Sequence, residues 1–152
     1  MSHLYLESGL DNVRLENGFT LHSTAYGEGL SIADSDGLHR AIGLWLVGRR
    51  QPLDGAALRF VRLEMELTQD ALAALLGTTE QTLRRWEKAR GQALAGPADR
   101  LLRLLFSEWL GRAEAVQVLA DRLAGHDPVP PAEGRFRHGP GGWREVVEAA
   151  VA

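Results

Sequence analysis

The side chains best suited to chemistry lie in one stretch, Leu67–Arg90, LTQDALAALLGTTEQTLRRWEKAR. It carries the amides Gln69 and Gln81, the hydroxyls Thr79 and Thr82, the carboxylate Glu80, and the cations Arg84, Arg85, Lys88 and Arg90. These are the groups that bond nucleic acids. A glutamine amide can bond adenine in bidentate fashion, a threonine methyl can meet thymine, and a guanidinium can bond O6 and N7 of guanine. A carboxylate can accept from the cytosine amino group, and cations can neutralise phosphates. Catalytic alternatives lack support. The histidines His3, His22, His39, His126 and His138 show no HxxxH or HExxH spacing, and there is no GxSxG, phosphate-binding loop or dinucleotide fingerprint. Convergence of His22 and His39 in the N-terminal part is the one metal-like arrangement the chain offers.

Helical spacing positions those groups. Thr68 can cap a first short helix whose buried face is Leu72, Ala73, Leu75 and Leu76. Gly77 suits a sharp turn, because a residue without Cβ takes positive φ freely. Thr78 followed by Gln81 reads as a capping box opening a second helix. That helix turns Leu83 and Trp86 inward and Gln81, Thr82, Arg84, Arg85 and Lys88 outward. Small Ala73 lets the two helices cross closely.

A chain of 152 residues with 45% hydrophobic and 24% charged residues is ordinary globular composition. Cys 0 excludes disulfides and thiolate metal sites and is compatible with a cytoplasmic location. The first residues carry no signal-peptide pattern, and no apolar run approaches the roughly 18 residues of a membrane span. The net charge of -3 argues against a nucleic-acid partner. Its distribution argues the other way: Arg84–Arg103 holds six basic and two acidic residues, a local +4. A local patch decides contact, since salt screens charges beyond roughly 8–10 Å.

Taken in order, Met1–Ile32 reads as β structure. A three-residue loop, Glu16-Asn17-Gly18 with Gly18 left-handed, would pair Leu15 with Phe19 and Val13 with Leu21, giving one apolar face. Leu30 and Ile32 suggest a further strand after a turn at Tyr26-Gly27-Glu28-Gly29. A helix over Asp36–Val47, capped by Ser35 or Asp36, follows with the stripe Leu38, Ala41, Ile42, Trp45 and Leu46, widened by Leu44 and Val47. That stripe packs on the hairpin or contributes to a dimer seam. Gly48–Pro52 is a linker, and Asp54 caps a helix turning Leu58, Val61 and Met65 inward. After the loop Gly91–Gly96, Pro97 opens a helix running to about Leu110. A shorter one beyond Gly111 uses Val116, Leu119, Ala120 and Leu123. Gly125–Gly142 is a Pro/Gly-rich linker, and Trp143–Val151 resumes helical spacing.

The pattern over Leu58–Leu105 resembles the helix-turn-helix of the Cro and lambda-repressor type, called XRE-like. That resemblance assigns base reading to Glu80, Gln81, Thr82 and Arg85, and phosphate contact to Gln69, Thr79, Arg84, Lys88 and Arg90. It also implies a structural ion pair between Arg62 and Glu87. Glu80 departs from relatives that carry a neutral residue there; it reads cytosine or serves only as a cap. Further N-terminal stretches, Tyr5-Leu6-Glu7-Ser8-Gly9-Leu10-Asp11-Asn12-Val13, Ser31-Ile32, Gly37-Leu38-His39-Arg40 and Pro52-Leu53-Asp54-Gly55, look like MqsA-like antitoxins and YgiT-type regulators. Many of those relatives hold zinc in a cysteine knuckle. Here His22-Ser23-Thr24-Ala25-Tyr26-Gly27-Glu28-Gly29 stands in that region without cysteine, so neither zinc nor another cofactor is expected.

The expected class is α+β: an N-terminal hairpin-and-helix unit over residues 1–52, an all-α helix-turn-helix domain over 53–124, and a linker with a short helix over 125–152. The resemblance implies a non-enzymatic, cytoplasmic homodimer that binds double-stranded DNA at a palindromic operator and represses its own promoter. Dimers of this type read half-sites about 34 Å apart. A toxin encoded beside it is a further partner class, so a free-standing regulator and an antitoxin both stay open. The competing class is a protein-interaction module using the N-terminal unit or the Trp143 segment.

Overall fold

The computed structural model describes residues 2–123 and 136–145. Within them three two-stranded antiparallel sheets and five helices follow in order. The elements are β1 (His3–Leu4), a 3-10 turn (Leu6–Ser8), β2 (Arg14–Leu15), β3 (Phe19–Thr24), β4 (Gly27–Ile32), α1 (Ser35–Gly48), α2 (Gly55–Glu64), α3 (Gln69–Leu76), α4 (Glu80–Lys88), α5 (Gly96–Leu123), β5 (Phe136–Gly139) and β6 (Gly142–Glu145). The α+β class holds.

The N-terminal pairing differs from the expected one. Leu15 pairs with His3, not Phe19, while β3 runs against β4 with Phe19 opposite Ile32 and Leu21 opposite Leu30. The connection is the two-residue tip Ala25-Tyr26, so the strand begins at Gly27 and not after Gly29. Both pairings make one face apolar. The observed one wins because a short connection closes a six-residue ladder locally, and Leu30 and Ile32 supply apolar partners at the right parity. Gly18 is left-handed as expected, at φ 77, but it forms the bend entering β3, where its carbonyl accepts from the Ala33 N–H.

The cap of α1 is Asp34, whose carboxylate accepts from the Gly37 N–H, and not Ser35 or Asp36. On this helix Ile42 and Leu46 are buried and Leu38 is half-buried, but Ala41, Leu44 and Trp45 face solvent. The expected stripe is therefore too wide. Its buried edge packs on α2 and α5. Gly43 makes the α5 approach possible, since a Cβ there would stand 2.3 Å from the Phe106 ring.

Asp54 caps α2 as expected, accepting from the Ala57 N–H, and Leu58, Val61 and Met65 are buried. The largest correction concerns α5. One 28-residue helix replaces the two expected, running through Gly111 without a break. A lone glycine costs a helix only about 1 kcal/mol, less than is gained by keeping Leu102, Leu105, Phe106, Val116 and Ala120 on one buried face. The linker before α2 is held by Arg103, which donates to the carbonyls of Val47 (3.0 Å), Arg49 and Gln51 (2.8 Å). Asp99 supports the same corner by accepting from the Leu53 N–H at 2.6 Å.

The tail also departs from its reading. Trp143 sits in β6 opposite His138, not at the start of a helix, and residues 136–139 are a strand within the expected linker. The rest of that linker, and Val146, Val147 and Ala150 of the expected helix, lie outside the described residues.

Candidate nucleic-acid interface

Two short helices crossing at a glycine turn build the site. Thr68 caps α3 by accepting from the Ala71 N–H at 3.0 Å, and Leu72, Ala73 and Leu75 are buried beneath it. Leu76 is half-buried and packs at the margin of the core. Gly77 closes the helix at φ 73, a conformation a side chain would resist. The turn then runs one residue further than the capping-box reading placed it. The Thr78 N–H donates back to the Ala73 carbonyl, and the cap of α4 is Thr79, which accepts from the Thr82 N–H at 3.2 Å. The expected Thr78–Gln81 box is therefore replaced by a Thr79 cap, and Gln81 is exposed. The Thr78 backbone N–H closes α3, and the Thr79 hydroxyl opens α4.

Packing on one side of α4 leaves the other side open. Leu83 is fully buried, Trp86 is half-buried against the core, and Glu87 is buried. Gln81, Arg84, Arg85 and Lys88 are exposed, while Glu80 and Thr82 are half-exposed in the first turn. The C-terminal end of α4 rests on Gly55: a Cβ there would stand 2.0 Å from the Trp86 carbonyl oxygen. The only marker of this contact in the sequence is the glycine after the Asp54 cap, at a place where a helix former is normally preferred.

Arg62 and Glu87 form a two-pronged ion pair with N–O distances of 2.7 and 2.9 Å, with side chains 11% and 6% exposed. From this pair a chain of hydrogen bonds leads outward. Glu87 accepts from the Gln69 amide (3.3 Å), the Gln69 oxygen accepts from Arg84 Nε (3.0 Å), and Arg84 Nη2 donates to Glu80. Sequence reasoning placed Gln69 and Arg84 on phosphates and Glu80 on a base, yet the structure joins all three. The i, i+4 spacing of Glu80 and Arg84 was the available signal.

Two cations of the basic run point elsewhere. Arg90 donates to the Gly9 carbonyl and so ties the N-terminal segment to the end of α4. Arg103 is committed to the linker and to Asp99. Burial works to raise the Asp99 carboxyl, but hydrogen bonds from Arg103 and the Leu53 N–H, with the charges of Arg103 and Arg100, outweigh it and hold the group below the usual carboxylate range. Arg84, Arg85 and Lys88 are the cations left on the open face of α4.

His22 and His39 do not come together. His22 bonds Ser31 within the β3–β4 hairpin, whereas His39 bridges the Tyr5 hydroxyl and Glu64 at 2.8 Å each. Among the described residues no group of His, Asp and Glu is arranged to hold a metal ion. No described helix is long and apolar enough to cross a membrane.

This geometry is that of a helix-turn-helix with its second helix presented outward, a class of DNA-binding module. Residues 58–108, about a third of the chain, match the family model described as Helix-turn-helix (HTH_3), the XRE type. No curated protein and no solved structure matches the chain. The match covers α2 to the first half of α5, so it falls on the segment that presents the polar face of α4. A DNA-binding regulator is the function this family supports.

Proposed function

We propose that the protein is a sequence-specific transcriptional regulator that enters the major groove with α4. Gln81, Thr82, Arg85 and Glu80 meet base edges, and Gln69, Thr79, Arg84 and Lys88 meet phosphates. The observation that carries this reading is the segregation of α4, with Leu83 and Glu87 buried and Gln81, Arg84 and Arg85 exposed on an unobstructed face. Arg90 joins the phosphate contacts only by leaving the Gly9 carbonyl.

By resemblance to MqsA-like and YgiT-type regulators, the protein acts as a homodimer on a palindromic operator and represses its own promoter. Its N-terminal unit holds together by apolar packing of Tyr5, Leu10, Val13 and Leu15, where relatives use zinc. An antitoxin differs from a free-standing regulator only in having a toxin partner. The test is binding of the full chain to duplex from upstream of its own gene, at several salt concentrations, with the neighbouring gene co-expressed. Salt-dependent, sequence-selective binding supports the regulator, and a stoichiometric co-purified neighbour supports the antitoxin branch. Equal affinity for operator and scrambled duplex at every salt concentration refutes the reading.

A further inference from the structure

α4 carries two carboxylates with opposite surroundings. Glu87 is buried in its pair with Arg62, whereas Glu80 lies on the face offered to the duplex. A carboxylate there is repelled by phosphates and by the acceptors that dominate base edges. It is not needed as a cap, because Thr79 supplies that oxygen. Its engagement is with Arg84, and both side chains are well exposed, at 60% for Arg84 and 40% for Glu80. A pair so open to water is weak and opens readily. Arg84 is held from a second side by the Gln69 oxygen, which is itself oriented by Glu87. In the free protein the guanidinium is therefore folded back onto α3 and α4.

From this arrangement we infer that Glu80 is a discriminating residue, a latch on Arg84 that rewards only certain DNA. The inference rests on the DNA-binding reading above. Where the base that faces the first turn of α4 offers an amino donor, cytosine N4 or adenine N6, that donor takes over the carboxylate and Arg84 swings to a phosphate. Where it offers only acceptors, the carboxylate is repelled and Arg84 stays folded back. Specificity then comes from a penalty on wrong sites more than from added attraction to the right one.

The test compares the full chain with Glu80→Gln, which keeps shape, removes charge, and lets an amide face either kind of base edge. The probes are a duplex obtained by binding-site selection and a random-sequence duplex of equal length. The expected result is roughly tenfold tighter binding of random duplex by the variant, with less than about threefold change on the selected one. On random duplex the slope of log K against log salt steepens by about one, as Arg84 gains a phosphate. In an Arg84→Gln background the gain on random duplex shrinks to the part owed to removing the repelled carboxylate. Equal tightening of both duplexes, persisting in the Arg84→Gln background, would reduce Glu80 to a generic charge and overturn the inference, as would weaker binding to both. Failure of the unmodified protein to distinguish the two duplexes is a separate result that sinks the DNA-binding reading instead.

Discussion

Removing one partner of the Arg62–Glu87 pair is expected to damage the fold far more than removing both. The side chains are 11% and 6% exposed, and Glu87 takes two guanidinium hydrogen bonds while Arg62 also donates to the Leu67 carbonyl at 3.1 Å. Glu87→Leu leaves the guanidinium desolvated without a counter-charge, which costs about 3–5 kcal/mol. At about 2–4 °C per kcal/mol for a chain of this size, the melting temperature falls by roughly 6–20 °C. In Arg62→Met/Glu87→Leu the charges and their desolvation both vanish. Stability then returns to within about 2 kcal/mol of the unmodified protein, because well-packed apolar side chains commonly replace such pairs without net loss. Urea denaturation and thermal melting of the two single variants and the double variant give the coupling directly. A cost under about 1 kcal/mol for either single variant would refute this, since the pair then behaves as an exposed one. So would a double variant as unstable as the sum of the singles.

Gly55→Ala is expected to lower stability by about 1–3 kcal/mol, despite the better helix propensity of alanine, because the clash is with the Trp86 and Ala89 carbonyls rather than a yielding side chain. Operator affinity should fall with it as α4 is displaced, and an unchanged melting temperature with unchanged affinity would contradict this. Because the folded Asp99 carboxyl titrates below its ordinary value of 3.8, its stabilising contribution is complete above that pH and fades as pH drops through the folded value. Asp99→Asn should accordingly flatten the acid limb of a stability-versus-pH curve, and an identical limb would remove Asp99 from the account. Arg85→Ala should cost about 1–3 kcal/mol on the selected site and relax preference at one base position, read by repeating the binding-site selection. Gln69→Ala should weaken the selected duplex through its lost phosphate contact and random duplex less, because Arg84 also loses a tether, and a loss confined to one site variant would reassign it as a base reader.

The central helical unit was legible in the residues alone, because there the signals are local. Thr68 and Asp54 cap the helices that follow them, Gly77 makes the turn, and Leu72, Ala73, Leu75 and Leu83 fall on the buried sides. The outward face of α4 was legible for the same reason, since a period of 3.6 residues fixes which side chains share a face. Features that depend on partners distant in the chain emerged only on folding. Leu15 went to His3 and not to Phe19, because two registers were equally apolar and β3 gains a six-residue ladder with β4. Gly111 failed to break α5, because the buried face on either side of it outweighed a local preference. The cap of α4 is Thr79, because the turn closing α3 runs through the Thr78 N–H and α4 starts one residue later. Arg90 and Arg103, indistinguishable in type from Arg84, were drawn to backbone carbonyls far away in sequence. Spacing reports which face a residue occupies; which group occupies the space opposite is set only when the chain folds.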